Sequence, residues 1–321
     1  MRLLVTGARG FVGQGLLPWL AGQGFSGIAT GSEPPRDLPE GWQGAARGDV
    51  LGDRRDVGSV DAVVHLEVRQ HVPRPTAADE AEFEQINVGG TRDWLDWAAA
   101  RSLGRFVFVS TIKAVASGDG PCLESTPLTP NTPYGRSKAA AEGLVRDWAA
   151  ANPAREAVIL RPAPVYGPGN AANLAAFVRQ VLTGKPCLIG RGDTQKSIVS
   201  RTNLAAAIAF AAKTARPGCE VFNVSDRETL SLRELANLVA TLAHAPPPRS
   251  IPGPLAGLVA PLGNVFETLT GRDFPLTTSR LRSIRETSIF PCDKLVAAGY
   301  VHPQSTREGL TEMLAWLTTR P

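Results

Sequence analysis

Cysteine is scarce in this 321-residue chain: there are four, Cys122, Cys187, Cys219 and Cys292, and none forms a C-x-x-C pair. Histidine is equally scarce, with four scattered residues. Tetrahedral metal sites draw on clusters of these two side chains, so no metal is expected. Reduced thiols and a cytoplasmic location are the simplest reading of such spacing. No run of about 18 apolar residues occurs, and "MRLLVTGARG" reaches Gly7 too early for a secretory apolar segment. Neither a membrane span nor a membrane partner is expected. Lys and Arg form no dense block although the formal charge is +4, so nucleic acid is not an expected partner. The small surplus leaves a bias toward anionic small molecules such as a diphosphate. No internal repeat is visible.

What is present is an alternation. Residues 2 to 6, "RLLVT", read as a buried strand, followed by a glycine turn and a helix to about residue 21. Further short apolar runs are "GFSGIAT", "VDAVVHLEV" at 60–68, "RFVFVST" at 105–111, "EAVILRPAPVYG" at 156–167 and "EVFNVS" at 220–225. Helical patterns separate them, most clearly "AEFEQINVGGTRDWLDWAAARS" and "SKAAAEGLVRDWAAAN". Such alternation implies βαβ units and an α/β fold of Rossmann type, a doubly wound parallel sheet with a smaller, mostly C-terminal α/β substrate-binding domain. The expected division is 1–163 for the nucleotide-binding domain, re-entered at about 197–228, with 164–196 and 229–321 for the substrate domain. Ser231 and Glu234 read as a capping box, and "APPPRSIPGP" at 245–254 as a proline-rich connection.

The motif "VTGARGFVG" spaces Gly7, Gly10 and Gly13 by three, after a strand and opening a helix. Glycine lets the backbone turn and lets a pyrophosphate approach the amides at the helix N-terminus. The second strand lacks the usual terminal carboxylate for a ribose: Gly31 or Ser32 stands there, and Glu33 comes late. Arg36 is the nearest arginine along the chain for a 2′-phosphate. Asp49, in "RGDV", is a candidate acceptor for an adenine amino group.

In "NTPYGRSKAAAEG", Lys138 follows Tyr134 by four residues, one helical turn along the same face. A phenol titrates near pH 10 and becomes a useful base only if a cation stabilises its phenolate. Lys138 is expected to lower the pKa of Tyr134. Thr111, after the apolar run "RFVFVS", is a hydroxyl at the strand end, where parallel sheets hold their ligands.

Taken together, "TGARGFVG", "GDV", "VVHLEVRQHV", "NVGGT", "FVFVSTIKAV", "PYGRSKAAAE", "LRPAPVYGPG" and "VFNVSD" resemble the extended short-chain dehydrogenase/reductase superfamily. The resemblance is strongest to its NAD-dependent nucleotide-sugar epimerases. It implies NAD as cofactor, with NADP not excluded, and a nucleotide-diphosphate sugar as substrate. It implies catalytic roles for Tyr134, Lys138 and Thr111. Cofactor contacts are implied for Gly7, Gly10, Phe11, Val12, Gly13, Asp49, Val50, His65, Leu66, Asn87, Lys138 and Pro162. Substrate contacts are implied for Thr111, Lys113, Tyr134, Asn173, Lys196, Arg280 and Arg282, with Arg285 an alternative. Glu67 stands where small residues are customary, beside the expected diphosphate.

The implied reaction is hydrogen transfer at sugar C4 through a 4-keto intermediate, reversed on the other face. The dehydratases of the superfamily carry Asp-Glu after the strand-end threonine; Ile112 and Lys113 cannot serve as that acid and base. A sugar or carbonyl reductase using NAD(P), and a non-catalytic nucleotide-binding protein, are the alternative readings. The alanine-rich faces at 94–100 and 139–150 suit a homodimer of the kind common in such families, or equally packing on their own sheet.

Overall fold

The computed structural model describes residues 1–70, 72, 75–115, 120–170, 173–270, 274 and 276–319. Seven strands share one sheet: β1 (Arg2–Thr6), β2 (Ser26–Gly31), β3 (Trp42–Ala46), β4 (Ala62–His65), β5 (Arg105–Val109), β6 (Glu156–Pro162) and β7 (Gly218–Val224). All pair in parallel, in the order β7-β6-β5-β4-β1-β2-β3. The longer helices are α1 (Phe11–Gly22), α2 (Gly90–Ala100), α3 (Pro133–Ala150), α4 (Asn173–Leu182), α5 (Arg201–Thr214), α6 (Leu232–Leu242), α7 (Gly253–Thr270), α8 (Thr278–Arg285) and α9 (Thr306–Thr319).

Strand residues alternate between two cores because successive side chains leave opposite faces. Leu3 and Val5 join Leu16, Leu20, Leu204 and Ile208 of α1 and α5. Leu4 and Val63 join Trp94, Ala98, Val145 and Trp148 of α2 and α3. A third core, around Tyr166, Val178, Val239 and Met313, unites α4, α6 and α9. The chain returns to the sheet through α5 and β7 after residues 164–196 have left it. Buried Asp226 ties this return together: it accepts from Ser200 N (2.9 Å), Asn203 Nδ2 (2.7 Å) and Tyr166 Oη (2.7 Å).

Strand order reverses between β1 and β4, which opens a crevice beyond their carboxyl ends. The expected strands are present: β1 keeps its bounds, β4, β5 and β6 are shorter than their apolar runs, and β7 begins two residues earlier, at Gly218. β3 was not anticipated, since the short, glycine-containing "WQGAA" carries little apolar signal and forms a sheet edge. The helical pattern at 81–102 is divided: Ala77–Glu82 is α-helical, Phe83–Gly89 is π-helical, and α2 follows. The Ser231–Glu234 capping box forms, with Glu234 N donating to Ser231 Oγ (3.2 Å) and Ser231 N to Glu234 Oε2 (2.8 Å).

Candidate active site

The glycine turn lies at the crevice. Gly7 has φ +64°, and a Cβ there would sit 2.7 Å from Glu67 N and Leu66 C, so β4's continuation needs the missing side chain. A Cβ on Gly13 would lie 2.5 Å from Ala8 O, so α1 can seat on the turn only with glycine. Gly10 is the N-cap of α1, with no side-chain cap and no acidic residue in the first turn. The leading amides, including Phe11 and Val12, therefore keep no intrahelical acceptor and favour an anion. Arg201, at the start of α5, stacks over the Phe11 ring at 5.3 Å and brings a half-buried cation to this turn. Nothing in its sequence neighbourhood singled it out.

His65 ends β4 with its imidazole turned into the core, which leaves the backbone of this segment to pass the coenzyme. Thr91 Oγ1 donates to Asn87 O (2.6 Å), so it accepts from His65 Nε2 (3.2 Å), and His65 Nδ1 accepts from Thr6 Oγ1 (2.7 Å). Burial holds the ring neutral by pushing its pKa well down. Thr6 Oγ1 in turn accepts from the amides of Leu66 (3.2 Å) and Glu67 (3.3 Å). The side chains of Leu66 and Val50 are likewise buried in the core. His65 thus positions the strand end that faces Gly7.

Glu67 does not threaten a diphosphate. Its carboxylate pairs with Arg47 Nε (2.9 Å) and accepts from Trp94 Nε1 (2.9 Å). Asp49 is committed to Arg54 Nε (3.0 Å). Glu33 pairs with Arg9 Nη1 (3.0 Å) at the end of β2. A Cβ on Gly31 would lie 2.9 Å from Arg9 Cδ, so this arginine rests where the ribose carboxylate is usually found.

Thr111 follows β5 and N-caps the turn Ile112–Ala114, its Oγ1 accepting from Lys113 N (3.2 Å). Tyr134, in the first turn of α3, is hydrogen bonded through its hydroxyl to the Thr111 side chain. Gly135 allows this meeting, because a Cβ there would run into the Lys113 carbonyl oxygen. Thr132 caps α3 by accepting from Gly135 N (3.0 Å). Lys138 is buried, donates from Nζ to Val109 O (2.9 Å) and lies 4.0 Å over the Phe108 ring.

The titration of this pair departs from expectation. Burial pushes Tyr134 up to about 12, and its bond to Thr111 opposes this only in part. Burial also pulls Lys138 down to about 7, against the charge of Glu142. The folded chain by itself therefore keeps the phenol protonated, because desolvation of the phenolate outweighs any stabilising cation.

Beneath the site lies a charged pair missed in the sequence. Glu142 accepts from Arg161 Nε (2.9 Å) and Nη2 (2.7 Å), from Ser110 Oγ (2.7 Å) and from Arg146 Nη2 (3.1 Å). It joins α3 to the ends of β5 and β6, and its spacing of four from Lys138 was the available signal. Asn87 is a second brace. Its Oδ1 accepts from Arg69 N (2.7 Å), and its Nδ2 donates to Arg69 O (3.2 Å) and Ser137 Oγ (2.9 Å). It positions α3 rather than facing a ligand. Pro162 ends β6, buried beside this assembly.

The substrate-side residues divide. Lys113 is exposed next to Thr111. Lys196 is not free for an anion as expected: its Nζ donates to Ser283 O (2.9 Å) and to Glu286 O, at the C-terminal end of α8. Helix ends gather unpaired carbonyls that attract such a cation. Arg280 is held by Phe274 O and Glu267 (3.6 Å). Arg282 and Arg285 are exposed. α4 begins at Asn173, whose side chain lies outside the described residues.

Comparison with known proteins places the fold. The chain is 27% identical to N-acetyl-alpha-D-glucosaminyl-diphospho-ditrans,octacis-undecaprenol 4-epimerase of Escherichia coli O157:H7, over 98% of this chain and 94% of that protein. It is 30% identical to dTDP-glucose 4,6-dehydratase of Streptomyces niveus, over 74% of this chain and 76% of that protein. Reductases are also among its relatives. The structure of MoeE5 in complex with UDP-glucose and NAD superposes with a TM-score of 0.75 at 24% identity, covering 99% of both chains. The family model described as NAD dependent epimerase/dehydratase family matches residues 3–225, more than half of the sequence. The chain belongs to the NAD dependent epimerase/dehydratase family.

Proposed function

We propose that the protein interconverts the two C4 epimers of a diphosphate-linked sugar, with NAD as its resident coenzyme. The observation that carries this reading is the meeting of Thr111, Tyr134 and Lys138 at the carboxyl end of β5, on the side of the sheet where the Gly7 turn opens. The turn fits the coenzyme: the space a Cβ would fill at Gly7 is taken by the backbone of Leu66 and Glu67, and α1 begins without a cap. Gly10, Phe11, Val12 and Gly13 would hold the diphosphate through backbone amides. When bound, NAD supplies the acceptor and later donor of the C4 hydrogen with its electron pair.

The chain's own residues handle the proton and the oxygen. Tyr134 takes the proton of the sugar hydroxyl and returns it. Thr111 hydrogen-bonds the same oxygen and orients it. Lys138, one turn along, supplies part of the positive charge that phenolate formation needs, and the cationic ring of bound NAD would add to it. Ile112 is buried and Lys113 exposed after Thr111, which leaves no acid–base pair there for eliminating water and supports epimerisation over dehydration.

The diphosphate-linked class is supported by a relative matched over nearly the whole chain, whose name sets its sugar on a diphospho-undecaprenol. MoeE5 holds UDP-glucose. A nucleoside and a polyprenol are therefore the two carriers to compare. The proposed labour is split between 1–163 with 197–228 for coenzyme and 164–196 with 229–321 for substrate. A cytoplasmic homodimer through α2 and α3 completes the reading.

One observation favours a reductase instead: Arg9, paired with Glu33, rests against Gly31 at the end of β2, the place where a 2′-phosphate would lie. Assays with UDP-N-acetylglucosamine, UDP-glucose and N-acetylglucosaminyl-diphospho-undecaprenol decide the matter. Epimer formed without net coenzyme consumption supports the proposal; stoichiometric NADPH oxidation overturns it. Tyr134→Phe should lower kcat by about 10²–10⁴ while coenzyme binding, read by fluorescence titration, is kept. Activity retained by this variant would reject the mechanism.

A further inference from the structure

α7 and α8 form an antiparallel hairpin. At one end Arg285 Nη2 donates to Gly253 O (3.1 Å). At the other, Asn264 Nδ2 donates to Thr278 Oγ1 (2.8 Å) and Thr278 N to Asn264 Oδ1 (3.1 Å). Ala256, Ala260, Leu276 and Leu281 make the seam. The outer face of α7 carries Leu255 (49% exposed), Leu258 (73%), Leu262 (67%), Val265 (55%) and Phe266 (40%). At ~100° per residue they fall within about 100° of arc, a single stripe. Five of the nine exposed large apolar side chains among the described residues are gathered here. Residues 253–266 include no charge, and Glu267 is turned toward Arg280. A surface helix facing water carries charge on its outer face; this one is shaped for an apolar partner.

The flank of the stripe says which partner. Exposed Arg282 and Arg285 line an open cavity of about 460 Å³ with Thr278, Leu281 and Glu286. Lys196 caps the end of α8, half-buried, and feels the charge of Glu286 and, more weakly, that of Lys113, two residues beyond Thr111. Cations thus run from the catalytic turn along α8 to the stripe. An anionic bilayer takes both features, the side chains entering the acyl boundary and the arginines meeting headgroups. No helix among the described residues is long and apolar enough to cross a membrane, so docking is on the surface.

We infer that the α7–α8 hairpin docks this protein on an anionic lipid bilayer, and that its sugar reaches the site on a membrane-held diphosphate. The second clause rests on the proposed reaction. The first does not. The sequence-based expectation of no membrane partner considered only spanning segments, and surface docking needs none.

The test floats the full-length protein with vesicles of phosphatidylcholine alone or with 30% phosphatidylglycerol, without sugar. Wild type should float with the anionic vesicles. The L258E/L262E double variant should lose at least about tenfold of this binding with its thermal unfolding unchanged. R282Q/R285Q should lose about tenfold on anionic vesicles only. Docking is overturned if wild type stays with the soluble fraction, if L258E/L262E binds like wild type, or if sedimentation shows a dimer that L258E/L262E dissociates. Docking without turnover of any diphosphate-linked sugar would reject the reaction and leave docking standing. Turnover of UDP-N-acetylglucosamine without docking would do the reverse. Equal turnover of the polyprenyl substrate by L258E/L262E in vesicles would overturn the second clause.

Discussion

Neutralising Glu142 probes how the site is held. Glu142 and Arg161 are 0% and 1% exposed, and the carboxylate receives two guanidinium hydrogen bonds at 2.9 and 2.7 Å. Glu142→Gln keeps the shape and removes the charge, leaving a buried guanidinium facing an amide. Breaking one side of a buried ion pair costs about 3–5 kcal/mol, against a total stability of about 5–15 kcal/mol. With a urea slope near 3 kcal/mol per molar, the unfolding midpoint should fall by about 1–2 M. Replacing both partners, as E142L/R161M, removes the unpaired charge and should recover most of the loss, since apolar replacements of such pairs are often neutral. Urea titrations followed by circular dichroism read all variants. A loss below about 1 kcal/mol for E142Q, or a double variant as unstable as the two single changes added, would refute the pairing argument.

Two further outcomes follow from the same geometry. Lys138 titrates at about 7 in the fold and near 10.4 unfolded, so between these values the unfolded chain holds the extra proton and stability rises with pH, by up to ~1.4 kcal/mol per unit. Lys138→Met should remove this rise between pH 7 and 10; equal pH slopes in urea midpoints would contradict the burial of the charge. Gly135→Ala places a Cβ against the Lys113 carbonyl and should cost about 1–3 kcal/mol while lowering kcat by about tenfold or more through displaced Thr111; unchanged kcat would show that this contact does not set the Tyr134–Thr111 geometry.

The parallel sheet was legible because its strands are apolar runs separated by helical periods, and the strand-turn-helix at Gly7 is local. Tyr134 and Lys138 stood out only when their spacing was joined to the glycine turn and to Thr111 at a strand end, and the fold does bring Tyr134 to Thr111. What escaped was long-range. Glu67 looked hazardous in sequence because Arg47 and Trp94, its partners, lie 20 and 27 residues away. Lys196 looked available because the carbonyls it caps belong to residues 283 and 286. Edge strand β3 escaped because "WQGAA" carries little apolar signal. A motif names residue types, whereas the direction of a side chain depends on contacts that form only when distant segments pack.

The Tyr134–Lys138 pair shows the same limit in its electrostatics. Spacing puts the two groups on one helix face, and that alone suggests a cation acting on a phenol. The fold adds burial, which penalises both charged forms: the phenol rises to about 12 and the ammonium falls to about 7. Glu142 opposes the second shift from the next turn of α3, held in place by Arg161. The charge state of the lysine beside the proposed base is therefore governed by its burial and by a buried pair behind the helix. Loss of Glu142 should reach the chemistry through Lys138 even where the backbone of α3 stays in place, by moving the lysine further toward its neutral form.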